Sequence, residues 1–273
     1  MRSGADALGG VETQVTVMFT DIQGFTAMTE QLGARDMVRF LNEYFSWMVD
    51  CLREEGGMLD KFIGDAIIAV FGLPLAGTED EDAAIRAAIA MQQRLGVENV
   101  ARAQRQESPI VVRIGLHTDS AVSGNIGSPK RMDYTLVGDG VNLAARLESA
   151  SKFYGTSVLV SDATLRRAHG AYSTREVDRL IVQGKSQSVL VHELLDFYSD
   201  HEFPHREEVL AHYSRERRAY LDQVWDQAIT AFEAALHLHP ADRLGALYVE
   251  RCRQLREHSP GPDWDGVWRM TSK

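Results

Sequence analysis

The chain has 273 residues, 44% hydrophobic, 25% charged and 8% aromatic, a composition of folded globular proteins that excludes disordered, collagenous and membrane-spanning classes. With 29 Lys and Arg against 39 Asp and Glu, the net charge is −10. That charge repels a phosphate backbone and argues against broad nucleic-acid binding, although a local cationic pocket remains open. The length suits one large domain or two modest ones and needs no disulfide framework.

The two cysteines, Cys51 and Cys252, fall in segments that read as helix, so reduced, structural thiols in a reducing compartment are expected. The longest apolar run, around Ala66–Phe71, is far short of the roughly 20 residues that span a bilayer, so no membrane segment is expected in this chain. Residues 1–10 lack the apolar core of a signal peptide and read as a linker end or the start of an excised fragment, outside the fold.

From Thr13 to Phe19 the sequence alternates, with Val15, Val17 and Phe19 on one face, and predicts a strand ending at Thr20-Asp21. Apolar residues from Phe25 to Leu52 recur at helical spacing, and Gly33 divides them into a short and a long helix. Met58–Ile63 and Ala66–Phe71 read as a hairpin turned at Gly64-Asp65, and alanine-rich Asp80–Arg105 as a further helix. Ile110–Leu116 and Ala121–Ile126 read as two strands with a break between them, followed by a strand at Tyr134–Val137. Gly138-Asp139-Gly140 then opens a helix with Val141, Ala144, Ala145 and Leu147 on its apolar face. Such a turn is either a phosphate seat or simply tight packing. Strands at Ser157–Val160, Arg175–Val182 and Val189–Leu194 complete an α+β domain of the ferredoxin-like kind, βααββαβ, ending near Leu195.

Beyond it, apolar stripes from Leu221 to Leu236 and from Leu244 to Leu255, separated by Pro240, predict a helical hairpin. Ala228, Phe232, Ala235 and Pro240 have the spacing of half a tetratricopeptide unit, but one copy cannot form a stable solenoid. The hairpin must therefore pack on the main domain, on a second chain or on neighbours outside this sequence. Trp264-Asp265-Gly266-Val267-Trp268 reads as an aromatic anchor for the tail or a docking segment.

Two carboxylates stand out by position. Asp21 ends the first strand and Asp65 sits at the hairpin turn. In a ferredoxin-like sheet the third strand runs antiparallel beside the first, which makes them neighbours. Two close carboxylates repel unless a cation lies between them, and hard Mg²⁺ suits such a pair with phosphate oxygens. Gly24-Phe25-Thr26, opening the next helix, offers backbone N–H groups to a polyphosphate. Gly184-Lys185-Ser186 ends like a Walker loop, but Arg179 stands where the first glycine belongs, so a P-loop is rejected.

Five blocks, in order, carry a resemblance. They are Phe19-Thr20-Asp21-Ile22-Gln23-Gly24-Phe25-Thr26, Asp60-Lys61-Phe62-Ile63-Gly64-Asp65-Ala66, Arg113-Ile114-Gly115-Leu116-His117, Gly124-Asn125-Ile126-Gly127-Ser128, and the run from Met132 to Glu148. Together they resemble the class III nucleotidyl cyclase catalytic domain over about Val11–Leu195. The resemblance implies a catalytic domain at 11–198, followed by a helical extension, 199–273, similar to those on bacterial adenylate cyclases. It implies that Asp21, Asp65 and the carbonyl of Ile22 hold two Mg²⁺ or Mn²⁺ ions per active site, that Asn142 orients the ribose, and that Arg146 stabilises the transition state at the α-phosphorus. Lys185 matches the family's triphosphate-contacting lysine.

Lys61 and Thr135 fall at the family's purine-selecting positions. A lysine donates to adenine N1 but meets a donor at guanine N1–H, so Lys61 points to ATP. Many adenylate cyclases carry Asp where this chain has Thr135, and a threonine marks a largely bacterial subclass. A hydroxyl both donates and accepts, so it should reject guanine less firmly than a carboxylate. The resemblance further implies a C2 homodimer whose sites draw Asp21 and Asp65 from one chain and Asn142 and Arg146 from the other. It also implies a cytoplasmic chain, or the cytosolic output domain of a larger membrane-bound sensor, with an upstream sensor or regulatory partner. The alternatives are a guanylate or dual-specificity cyclase, or a catalytically silent nucleotide-binding module. The Gly-Gly-acid-acid-Phe hairpin of diguanylate cyclases is absent.

Overall fold

A computed structural model describes residues 10–128, 130–181 and 188–267. They form two compact units: one contains the described residues up to Ser151 together with Ser157–Ala171, the other Lys152–Thr156 together with those from Tyr172 onward. Strands and helices follow the expected α+β order. Among the described residues, no helix is long and apolar enough to cross a membrane.

The first unit is built on β1 (Val11–Ile22), which pairs antiparallel with β3 (Ala66–Phe71) on one edge and with β4 (Val112–Ser128) on the other. β2 (Met58–Ile63) lies outside β3, β6 (Val158–Ser161) runs parallel to β4, and β5 (Arg131–Val137) pairs with the far half of β4. Both faces of β1 are covered: Val15 and Val17 on one side and Thr16, Met18 and Thr20 on the other are all buried. Val15 and Val17 pack with Ile68, Val70, Ala121, Leu136 and Ala144. α1 (Phe25–Glu54) is interrupted by non-helical geometry at Gly33, as the glycine break predicts. It lies against β2 and α2 (Asp80–Gln104), and α2 also contacts β1, β3 and β4.

β4 corrects the expectation of two strands. It runs unbroken for 17 residues, with His117, Thr118, Asp119 and Ser120 in register with β1. Polar residues continue the strand because the fold supplies partners: Thr118 Oγ1 is 2.8 Å from Thr16 Oγ1 and 3.0 Å from Thr164 Oγ1, and His117 Nδ1 is 2.8 Å from Ser161 Oγ. A buried polar group bonded in this way loses most of its desolvation penalty.

α3 (Asp139–Tyr154) packs directly on β4. A Cβ on Gly115 would stand 2.2 Å from the Ala144 carbonyl oxygen, and one on Gly140 would stand 2.6 Å from Asp119 Cβ. The glycine turn that opens α3 therefore serves close packing.

The second unit joins the antiparallel pair β7 (Thr174–Ile181) and β8 (Ser188–Leu194) to helices α5 (Arg206–Leu221), α6 (Trp225–Leu238) and α7 (Arg243–Glu257); the single-turn α4 (Asp162–Leu165) belongs to the first unit. The expected hairpin is α6–α7, and α5 is an additional helix that periodicity does not reveal. Its buried side includes Tyr213, Glu216, Arg217 and Tyr220, which reads as polar although it faces inward. Trp264 anchors the tail edge-on to Tyr220 and Trp225, with ring centroids 5.1 and 5.6 Å away; Trp268 lies outside the described residues. Cys51 and Cys252 are buried free thiols.

Neither carboxylate oxygen of buried Glu216 has a hydrogen-bond partner among the described residues. Burial, reinforced by the negative charge of Asp242, pushes Glu216 up to about 8 from an ordinary 4.5. A carboxyl with a raised folded-state pKa favours the fold fully below its unfolded value and loses that contribution as pH rises through the folded one. Replacing Glu216 by Gln should remove this pH dependence. Thermal unfolding across the range should show the wild-type midpoint falling relative to Glu216→Gln between about pH 5 and pH 8, with the gap constant above that.

Candidate active site

Asp21 and Asp65 meet, as the strand order predicts. The N–H of Ile22, at the end of β1, donates to Asp65 Oδ2 at 3.0 Å. On the opposite edge of β1 the register sets Asp21 against Arg113 of β4, and Arg113 Nη2 donates to Asp21 Oδ2 at 2.6 Å. Arg113 Nε donates in turn to Glu148 Oε1 of α3 at 2.7 Å. Two carboxylates thus stand on one guanidinium, and Asp65 adds a third negative charge beside Asp21. Burial, with the negative charges of Glu148 and Asp65 added, pushes Asp21 up to about 6 in spite of Arg113.

Excess negative charge at an oxygen-lined corner is the chemical signature of a cation site. The donors are hard: the carboxylates of Asp21 and Asp65 and the main-chain carbonyl of Ile22. That set fits Mg²⁺ or Mn²⁺, which takes one or two protein carboxylates and completes its shell with water and phosphate oxygens. Among the described residues, no three His, Cys, Asp or Glu side chains gather as a closed cage. Next to this corner, α1 starts after Gly24, whose backbone is left-handed (φ 75°), with no side chain capping the helix. The first N–H groups, from Phe25 and Thr26 onward, are therefore not taken by a side-chain cap.

Lys61 of β2 and Thr135 of β5 also come together: Lys61 Nζ donates to Thr135 Oγ1 at 3.0 Å. Asp60 completes the group, with its Oδ2 3.4 Å from Lys61 Nζ and 3.3 Å from Thr135 Oγ1.

Asn142 and Arg146 lie one turn apart on the exposed side of α3. At about 100° per residue, Arg146 is roughly 200° around the helix from Glu148, which faces Arg113 and the aspartates. The pair thus lies on the exposed side of the helix, whereas Glu148 is buried. Lys185 lies outside the described residues.

Sequence reasoning gave no role to Arg113, Glu148 or Asp60. The available signal was Arg113 itself, a charged residue flanked by Val112 and Ile114 in a strand read as apolar. Once the strand register is known, it falls directly opposite Asp21.

Residues 11–195 match the family described as Adenylate and Guanylate cyclase catalytic domain. The chain belongs to that family. An adenylate cyclase of Anabaena cylindrica is 35% identical over 195 residues, or 68% of this chain and 38% of that protein. Among solved structures, the adenylyl cyclase CyaB from P. aeruginosa is 34% identical with a TM-score of 0.64, covering 71% of this chain and 99% of that one. The guanylyl cyclase Cya2 is 32% identical with a TM-score of 0.61, covering 68% and 94%. This chain spans well under half the length of the curated adenylate cyclases it matches. Because the similar solved structures include both adenylyl and guanylyl cyclases, the choice of base has to be argued from this chain's own residues.

For a cation held by Asp21, the elevated pKa of that carboxylate would set a pH dependence of binding. A metal takes the ionised carboxylate, so protons compete with it below about pH 6. Mn²⁺ affinity, followed by the loss of the free-ion electron paramagnetic resonance signal, should weaken as pH falls through about 6, and Asp21→Asn should abolish the pH-dependent part.

Proposed function

We propose that this cyclase domain converts ATP to 3′,5′-cyclic AMP and pyrophosphate at two equivalent sites, each shared between two copies of the chain. The observation that carries adenine over guanine is the Lys61–Thr135 hydrogen bond, joining the two purine-selecting positions across 74 residues of sequence. Lys61 is a donor for adenine N1 and a mismatch for guanine N1–H, and Thr135 accepts from the adenine amino group.

Asp21, Asp65 and the Ile22 carbonyl would hold two Mg²⁺ or Mn²⁺ ions. When bound, such ions lower the pKa of the attacking 3′-hydroxyl and neutralise the triphosphate. Asn142 orients the ribose so that its 3′-oxygen faces the α-phosphorus. The 3′-hydroxyl gives up its proton to solvent water as the new O–P bond forms and the bond to the bridging oxygen breaks, and pyrophosphate departs with the negative charge. Arg146 stabilises the charge that develops on the α-phosphoryl oxygens. Lys185 and the N-terminus of α1 at Gly24, Phe25 and Thr26 hold the remaining phosphates.

Support for a shared site comes from α3, whose exposed side carries Asn142 and Arg146 while its inner side carries Glu148 bound to Arg113. A C2 pair lets each chain present Arg146 to the aspartates of the other. Further support is an apolar strip on one face of β4 and β5, where Val122, Ile126 and Val137 are exposed and suited to burial against a second copy. In this reading residues 11–198 are the catalytic domain and 199–273 its helical extension. The chain acts in the cytoplasm as the output of a sensor.

Purified protein with Mn²⁺ should convert ATP, and much less GTP, to the cyclic monophosphate; no product from either nucleotide would overturn the reading. Asp65→Ala and Arg146→Ala proteins should each be inactive alone. Mixed and re-equilibrated in equal amounts, they should recover about a quarter of the wild-type rate, since half the dimers are mixed and each mixed dimer holds one complete site. No recovery in dimers shown to be mixed would contradict the shared site.

A further inference from the structure

We infer that Asp60 is a specificity-positioning residue: by taking the proton of the Thr135 hydroxyl, it turns that hydroxyl into an obligate acceptor and so selects adenine. This deepens the proposed reaction and rests on the same assignment of Lys61 and Thr135 to the purine base.

A threonine hydroxyl has one proton to give and two lone pairs to receive with. Taken alone, it can turn either way, accepting from the amino group of adenine or donating to the carbonyl oxygen of guanine. The neighbours of Thr135 remove that freedom. Lys61 Nζ, 3.0 Å away, has protons but no lone pair, so it occupies one acceptor position of the hydroxyl. Asp60 Oδ2, 3.3 Å away, has lone pairs but no proton when ionised, so the hydroxyl hydrogen is directed to it. What remains toward a ligand is the second lone pair. An adenine amino group satisfies it, whereas guanine O6 would set lone pair against lone pair and leave both unsatisfied, the kind of mismatch that discriminates strongly in a partly desolvated site.

Asp60 is built for this role. Its carboxylate is almost entirely buried, with side-chain exposure of 5%. Its second oxygen, Oδ1, is buried without a hydrogen-bond partner among the described residues. The carboxylate that many relatives place at the second selecting position is supplied here from β2, one hydroxyl removed. Thr135 and Asp60 together make the acceptor that Thr135 alone does not guarantee.

Asp60→Asn is nearly isosteric, but its amide can donate to Thr135 Oγ1 and free the hydroxyl proton to point outward. The ratio of kcat/KM for ATP over GTP should fall about tenfold or more in Asp60→Asn, and similarly in Thr135→Val, which lacks the hydroxyl. Asp60→Asn should change the ratio no further in a Thr135→Val background, and Thr135→Asp should restore adenine preference to Asp60→Asn. A wild-type ratio in Asp60→Asn, or the same fold-change with and without the Thr135 hydroxyl, overturns the inference. Should Asp60→Asn not fold, an unchanged ratio in Thr135→Val overturns it as well.

Competition of ATP and GTP for an anthraniloyl-labelled nucleotide, measured by fluorescence, separates this inference from the reaction. If wild type makes no cyclic product, the proposed reaction fails. The inference then stands only if wild type binds ATP in preference to GTP and Asp60→Asn does not. Binding of neither nucleotide overturns both.

Discussion

The central strand β1 is hydrogen-bonded on both edges, to β3 and to β4, and the rest of the candidate site depends on that double pairing. With both faces buried, its register is strongly specified, because a slip of one residue would turn every core side chain to the wrong layer. The register sets Thr20 beside Ile67 on one edge and Asp21 beside Arg113 on the other. Asp65, one residue before β3, then falls within reach of the Ile22 N–H. A carboxylate corner therefore arises from strand pairing alone, before any ligand is considered.

The second consequence of β4 is the placement of α3. Gly115 lies opposite Phe19 in the sheet and leaves no room for a Cβ between β4 and the backbone of α3 at Ala144 and Glu148. That close approach brings Glu148 to Arg113, and with it fixes the rotation of the helix about its own axis. Once Glu148 faces inward, helical geometry requires Arg146 to face outward. The arrangement leaves the proposed catalytic arginine on the exposed side of α3, which is the placement that the proposed two-chain site requires. Arg113 answers Asp21 on one side and Glu148 on the other, so it also ties the carboxylate corner to the helix that carries Asn142 and Arg146.

Much of this was legible in the sequence where periodicity and turn chemistry speak directly. The hairpin Met58–Ile63 with Ala66–Phe71 matches β2 and β3 at both ends, because Gly64 supplies the left-handed turn between two apolar runs. The meeting of Asp21 and Asp65 followed from strand order alone. What stayed hidden has one physical cause: polar side chains whose partners are distant in sequence. His117 and Thr118 read as a break because Ser161, Thr164 and Thr16 were not visible as their partners. α5 was missed because Glu216 and Arg217 disguise a buried face. Asp60 stood beside Lys61 in the motif, but only the pairing of hydroxyl and carboxylate across 75 residues gives it a role.

The same cause operates on a larger scale in the second unit. Arg175 of β7 donates from both terminal nitrogens to Asp242, just before α7, at 2.7 and 2.8 Å, and from Nε to Glu193 of β8 at 2.7 Å. Arg251 of α7 holds Asp178, and Arg217 of α5 holds Glu176, at 2.7 and 2.6 Å. Each pair is buried or nearly so on at least one side, and removing one member of a buried pair leaves a charge whose exposure to the interior costs about 3–5 kcal/mol. The strands β7 and β8 and the helices α5 to α7 are therefore held by charges that neither group could bury alone. The family match ends at residue 195, but the compact unit that contains its last two strands runs through α7. The helical hairpin α6–α7, too small to stand by itself, becomes stable here because the closing strands of the cyclase domain provide its counterions.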